Sequence, residues 1–194
     1  LIQKALMAKL HLGCGNKLLP EYINVDKYGS PDIVKDLEEL PWEWDDNSIE
    51  EVLMVHVLEH LGQSTEIYFG IWKELYRICK DNALIKIIVP HHKHEFFFGD
   101  PTHVRAITPL GLELFSKKKN LEWIESGFSN SPLGIQLDID FDLIKTVVKP
   151  SRDWFNLHPE EKEKINLSRL IEESKLYDNL IEEYTFTLKA IKET

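Results

Sequence analysis

The chain has 194 residues, 43% of them hydrophobic, and a formal net charge of -10 at pH 7. That length and apolar content suit one ordered globular domain with a substantial core. The acidic balance weighs against DNA, RNA or an anionic lipid surface as the main partner, because those reward clustered Lys and Arg.

Cys14 and Cys79 are too few for a disulfide framework, no apolar run reaches the roughly 18 to 20 residues of a membrane span, and no secretory signal pattern is present. The expected location is the cytoplasm. Residues 1–8, around Met7, read as a leader with no assigned function. Residues 9–12 are strand-like and run into Gly13-Cys14-Gly15-Asn16, where two glycines stand two apart. Glycine lacks a Cβ, so this turn can take unusual dihedrals and let a ligand rest on bare backbone. The apolar run Tyr22–Val25 ends on Asp26 after only the six residues Asn16–Glu21. A parallel crossover usually takes about a dozen residues and a helix, so this one is abbreviated.

Residues 32–35 form a third short strand, closed by Asp36-Leu37. Leu40-Pro41 to Ser48 is a surface loop of turn formers whose tryptophans fold back over apolar surface. Residues 51–57 are almost continuously apolar, the mark of a strand covered on both faces. Ser64-Thr65-Glu66 opens a helix carrying Ile67, Ile71, Leu75 and Ile78, stopped at Asp81-Asn82, and Ala83–Val89 is another buried strand, ended by Pro90. Strand, helix, strand implies a right-handed parallel unit and an α/β layered fold. Residues 91–106 form a long loop rich in His and Phe, with Phe96-Phe97-Phe98 read as core. Thr108-Pro109 opens a further helix, and Lys117-Lys118-Lys119 reads as a solvated helix end. Residues 135–143 alternate apolar and polar, placing Asp138, Asp140 and Asp142 on the wet face of a strand. Residues 159–184 read as a charged helix with Leu170, Ile171, Leu180 and Ile181 on its apolar side, and Thr185–Lys192 as a final strand.

The glycine turn lacks the third glycine of a dinucleotide fingerprint, since residue 18 is Leu18, and the short crossover leaves little room for a helix N-terminus facing a pyrophosphate. A ligand with ribose and adenine but no phosphates needs neither. Asp26 is placed to accept hydrogen bonds from both ribose hydroxyls, and Asp36-Leu37 to meet an adenine edge.

The ordered set of His11-Leu12-Gly13-Cys14-Gly15, Asn24-Val25-Asp26, Asp36-Leu37, Leu40-Pro41, Asp46-Asn47-Ser48, Val57-Leu58-Glu59-His60-Leu61 and Glu74-Leu75-Tyr76-Arg77-Ile78 resembles class I S-adenosylmethionine-dependent methyltransferases of the type 11 group. The resemblance covers residues 9 to about 116. It implies a single Rossmann-like α/β domain over 1–194, a mostly parallel sheet with an antiparallel last strand, and S-adenosyl-L-methionine as cofactor. It also implies cofactor contacts from Leu12, Gly13, Cys14, Gly15, Asp26, Asp36, Leu37 and His56. His11 departs from it, because such families usually carry Asp or Glu there.

Histidine can take a proton from a hydroxyl or amine near pH 7. His56, Glu59 and His60 share a face if the backbone is helical there, and His91, His92, His94 and His103 crowd the loop after the fifth strand. His103, His56 and His60 are the catalytic candidates, His103 first because Pro101 and Arg105 constrain its loop. The expected reaction is in-line transfer of a methyl group to an O or N nucleophile of a small-molecule or glycan-type acceptor. Residues 91–130 and 151–158 form the expected substrate side, no metal is assigned, and homodimerisation stays open. One alternative is a non-catalytic methyltransferase-like binding module. Another is a metal-assisted methyltransferase using His56, Glu59 and His60, a set that partly resembles a Glu-x-x-Glu-His metal site with His56 in place of the first glutamate. A nicotinamide-dependent oxidoreductase is disfavoured by Leu18.

Overall fold

In the computed structural model, residues 8–192 are described. The leader reading of residues 1–8 therefore lies outside them except for Ala8, which begins β1 (Ala8–Leu12). Strand β1 pairs in parallel with β2 (Ile23–Asp26) on one side and β4 (Ile49–Val55) on the other, and β3 (Ile33–Val34) lies outside β2. β5 (Cys79–Pro90) extends the parallel run, and the seven strands take the order β3-β2-β1-β4-β5-β7-β6. The last strand in sequence, β7 (Ile181–Ala190), is antiparallel to both β5 and β6 (Phe141–Pro150), as the resemblance implies. Among the described residues, no helix is long and apolar enough to cross a membrane.

Register separates the two faces of the sheet. Leu10, Val52 and Ile85 stand side by side, as do Leu12, Met54 and Ile87, and all six are fully buried. Helix α1 (Thr65–Ile78) also supplies Ile71, Trp72, Leu75 and Ile78 to this core, and its N-cap Ser64 accepts the Ile67 N–H. The opposite face presents Lys9, Glu51 and Leu84 in one row and His11, Leu53 and Lys86 in the next. Coverage of both faces, expected from the apolar run 51–57, is therefore not found; Leu84 is 41% exposed. The reason lies in the connections: no helix intervenes between β1 and β2 or between β2 and β3, so no layer forms there. Polar pairing occupies part of that face instead, with Lys9 Nζ 2.8 Å from Glu51 and the Tyr22 hydroxyl donating to the same carboxylate.

The loop after β3 folds back as expected. Trp42 is buried, its indole N–H donates to the Leu37 carbonyl at 3.1 Å, and Arg77 of α1 donates to the carbonyls of Trp42 and Trp44 at 2.9 and 2.8 Å.

Three elements differ from the sequence reading. The predicted stop at Asp81-Asn82 comes earlier, because Cys79 already pairs with Ile49 across a register shift. The alternating stretch 135–143 is not one strand. Leu133–Leu137 is a short helix, α5, ended by Asp138 at φ 54°, and β6 begins at Phe141. The acids there serve neighbouring backbone and side chains: Asp140 accepts the Lys117 N–H at 2.8 Å and Asp138 lies 2.7 Å from Lys117 Nζ. Both support the start of α4 (Lys117–Glu125), so the lysine run is a helix end. The long helix expected over 159–184 is instead the 3-10 turn Pro159–Glu161 and α7 (Leu167–Ser174). Leu180 and Ile181 leave helical register because they pack with Trp154 and Leu170 in a second small core, and Asn179 breaks the chain at φ 62°.

Candidate functional site

At the carboxyl end of β1 the chain turns sharply, with the N–H groups of Gly13 and Cys14 both donating to the Val25 carbonyl at 2.8 and 3.1 Å. Gly13 sits at φ 67°, and a Cβ there would stand 2.3 Å from Val57 Cγ2, so conformation and space both demand glycine. Gly15 also has positive φ but open space around it, and its N–H donates to Asp26 Oδ2 at 2.8 Å. The Tyr28 N–H holds the other oxygen of Asp26 at 2.9 Å, which fixes the carboxylate at the end of β2.

A cleft of about 410 Å³ opens beside this turn, bordered by Gly13, Asp26, Asp36, Leu37, Val57 and His60. Of the residues expected to hold a cofactor, the structure brings together Gly13, Asp26, Asp36 and Leu37. Leu12 is fully buried in the core, and Cys14 is buried with its Sγ 3.5 Å from the Gly15 carbonyl. Gly15 stands exposed at the edge, and His56 lies in a neighbouring cleft. Sequence reasoning missed Tyr28, Lys35, Leu61 and Thr102, which also line the cleft; the position of Tyr28, two residues after Asp26, was the available signal. His11 is buried and does not border the cleft. Its Nδ1 lies 3.3 Å from Asn24 Oδ1, and burial pushes its imidazole below the ordinary value, making it a neutral tie between β1 and β2.

The second cleft, about 420 Å³, includes His56, Glu59, His60, Phe96, His103 and Glu183 in its lining. His60 borders both. His56 closes β4 at φ 52°, outside any helical face shared with Glu59 and His60. Its Nε2 lies 3.1 Å from Glu183 and its Nδ1 3.5 Å from Glu59, the latter an ion-pair distance rather than a hydrogen bond. Glu59, seconded by Glu183, raises the His56 pKa against the opposing effect of burial. His103 reaches this cleft because its loop is latched to the 3-10 turn Leu58–His60: the Val104 and Arg105 N–H groups donate to the Glu59 carbonyl at 2.9 and 3.2 Å. The His60 and His103 rings meet edge-on at 4.5 Å.

The remaining loop histidines go elsewhere. His91 is buried against Tyr184, with burial holding it down to about 4, and His94 Nδ1 accepts the Phe96 N–H at the start of α2 (Glu95–Phe98). Phe96 and Phe98 are exposed rather than core, because α2 is a single turn beyond the carboxyl end of β5 with no buried residue. Residues 153 and 156–158 border a third cleft with Glu173 and Tyr177, away from the first two.

No protein-family model matches the sequence, and no curated protein matches it. Solved structures do match. A SAM-dependent methyltransferase from Archaeoglobus fulgidus superposes with a TM-score of 0.54 at 18% identity, over 95% of this chain and 87% of that one. A SAM-dependent methyltransferase from Methanosarcina mazei gives 0.53 at 13%, over 96% and 93%. The chain has the methyltransferase fold. A third methyltransferase-fold neighbour, 1,6-didemethyltoxoflavin-N1-methyltransferase from Burkholderia thailandensis, solved with 1,6-didemethyltoxoflavin and S-adenosylhomocysteine bound, gives 0.52 at 10% over 95% and 71%.

Proposed function

We propose that the chain is an S-adenosylmethionine-dependent methyltransferase acting on an O or N nucleophile of a small-molecule or glycan-type acceptor. The observation that carries this reading is the meeting of two clefts at His60, one of them floored by the glycine turn and the fixed Asp26 carboxylate. Asp26 would accept the ribose hydroxyls, while Asp36 and Leu37 would border the adenine. With no helix between β1 and β2, no helix N-terminus faces this turn to favour a pyrophosphate.

Methyl transfer from a sulfonium is an in-line displacement: the nucleophile bonds to the methyl carbon as the carbon–sulfur bond breaks, and sulfur keeps the electron pair. The chain's work is to align the partners across the His60 boundary and to exclude water. The acceptor's proton passes to one imidazole of the three that border the second cleft, those of His56, His60 and His103. A crystal structure with S-adenosylhomocysteine tests this reading. Ribose on Asp26 and sulfur facing His60 would support it; nucleoside density outside the first cleft would overturn it.

A further inference from the structure

We propose that Glu59, His60 and His103 form a binding site for a first-row divalent metal ion within the acceptor cleft. The chemistry assigned to the ion rests on the methyl-transfer reading; its binding does not. One carboxylate oxygen and one ring nitrogen from each histidine lie within 4.8 Å of one another.

Glu59 is 1% exposed, and neither of its carboxylate oxygens has a hydrogen-bond partner among the described residues. Buried carboxylates normally collect donors, because desolvation without them is costly. His56 Nδ1 lies 3.5 Å away, too far for a hydrogen bond. A cation bound by these oxygens would give them the partner they lack.

Hydrogen bonds hold each imidazole in one tautomer. The Phe97 carbonyl, 2.8 Å from His103 Nδ1, can only accept, so Nδ1 carries the hydrogen and Nε2 the lone pair. The Thr102 hydroxyl donates to Asp100 Oδ1 at 2.6 Å and so accepts from His60 Nδ1 at 3.0 Å, again leaving Nε2 as the lone-pair atom. A carbonyl behind one histidine and a hydroxyl–carboxylate pair behind the other are the outer partners that orient metal-binding imidazoles.

Two imidazoles and one carboxylate suit Zn²⁺, Co²⁺, Fe²⁺ or Mn²⁺ better than Mg²⁺ or Ca²⁺, which prefer oxygen shells. Three protein ligands leave room for the acceptor, so the acceptor class that follows is a hydroxyl compound. The ion would polarise that hydroxyl. Its proton would leave to His56, the one imidazole of the cleft outside the ligand set, as oxygen bonds to the methyl carbon and sulfur departs with the electron pair.

Titration of the full chain with Co²⁺, without nucleoside and followed by ligand-field absorption, tests the site. One ion per chain is expected, with affinity weakened about 10- to 100-fold by Thr102→Val, which frees the His60 tautomer, and weakened further by Glu59→Gln and His103→Asn. His92→Gln, outside both clefts, should leave uptake unchanged. If Glu59→Gln fails to fold, the exposed Thr102→Val position still reports. Absence of Co²⁺ uptake by the folded chain, or uptake undiminished in Thr102→Val and His103→Asn, overturns the site. S-adenosylhomocysteine titrated into the same samples separates the two readings. Nucleoside binding without Co²⁺ uptake overturns the metal site alone, and Co²⁺ uptake without nucleoside binding overturns the methyltransferase alone.

Discussion

Replacing Gly13 and Gly15 by alanine, one at a time, separates the two demands that the turn makes on its glycines. Both hold positive φ, 67° and 53°, and an alanine in that region costs about 1–2 kcal/mol. Only Gly13 is also hemmed in: its added Cβ would lie 2.3 Å from Val57 Cγ2 and 2.6 Å from Val57 Cβ, where carbon contacts prefer about 3.5–4.0 Å. Forcing a methyl into such a space adds about 1–3 kcal/mol. Nothing lies within 4 Å of a Cβ at Gly15. Urea unfolding should therefore show Gly15→Ala losing about 1–2 kcal/mol and Gly13→Ala about 2–5 kcal/mol. Because Gly13 and Val57 both border the first cleft, Gly13→Ala should also weaken S-adenosylhomocysteine binding. Equal losses at the two positions, within about 0.5 kcal/mol, would refute the packing argument.

Asp26→Asn should weaken S-adenosylhomocysteine binding by about 10- to 100-fold in calorimetry, the scale of about 1.5–3 kcal/mol for hydrogen bonds to a charged group; an unchanged affinity would remove Asp26 from the ribose. His91, held down to about 4 against 6.5 in the unfolded chain, leaves the unfolded state binding the extra proton between those values. Its share of stability is thus complete above about pH 6.5 and lost as pH falls toward 4, and His91→Asn, which keeps an acceptor for the Lys93 N–H, should flatten the pH dependence of the melting temperature in that window. Arg77→Met should cost about 2–3 kcal/mol in urea unfolding by orphaning the Trp42 and Trp44 carbonyls and leaving Glu74 with the Trp42 N–H, with a loss under about 0.5 kcal/mol counting against these contacts.

The parallel core of the sheet was legible because its strands carry local signals: the glycine turn after β1, the acid ending β2 and the capped helix before β5. The half-covered face was not legible, because the apolar run 51–57 puts Leu53 and Val55 on it and so outweighs the charges of Lys9, Glu51 and Lys86. Period-two alternation misled at 135–143 because Leu133–Leu137 turns helical and ends at Asp138, which stays exposed beside Lys117, while Asp140 is spent on the Lys117 N–H, a tertiary fact absent from local pattern. The same holds for the site. Gly13, Asp26 and Asp36 follow from strand ends, whereas the approach of His103 to Glu59 depends on a loop latched across more than forty residues of sequence. His11, a departure from the family pattern, is explained by Asn24, its partner on the adjacent strand.

Equilibrium titration of the folded chain with S-adenosylmethionine, S-adenosylhomocysteine and NAD tests the central claim most directly. Saturable one-to-one binding of both sulfur nucleosides, lost in Asp26→Ala and not displaced by NAD, is the predicted result. Binding of NAD with none of either sulfur nucleoside would contradict it.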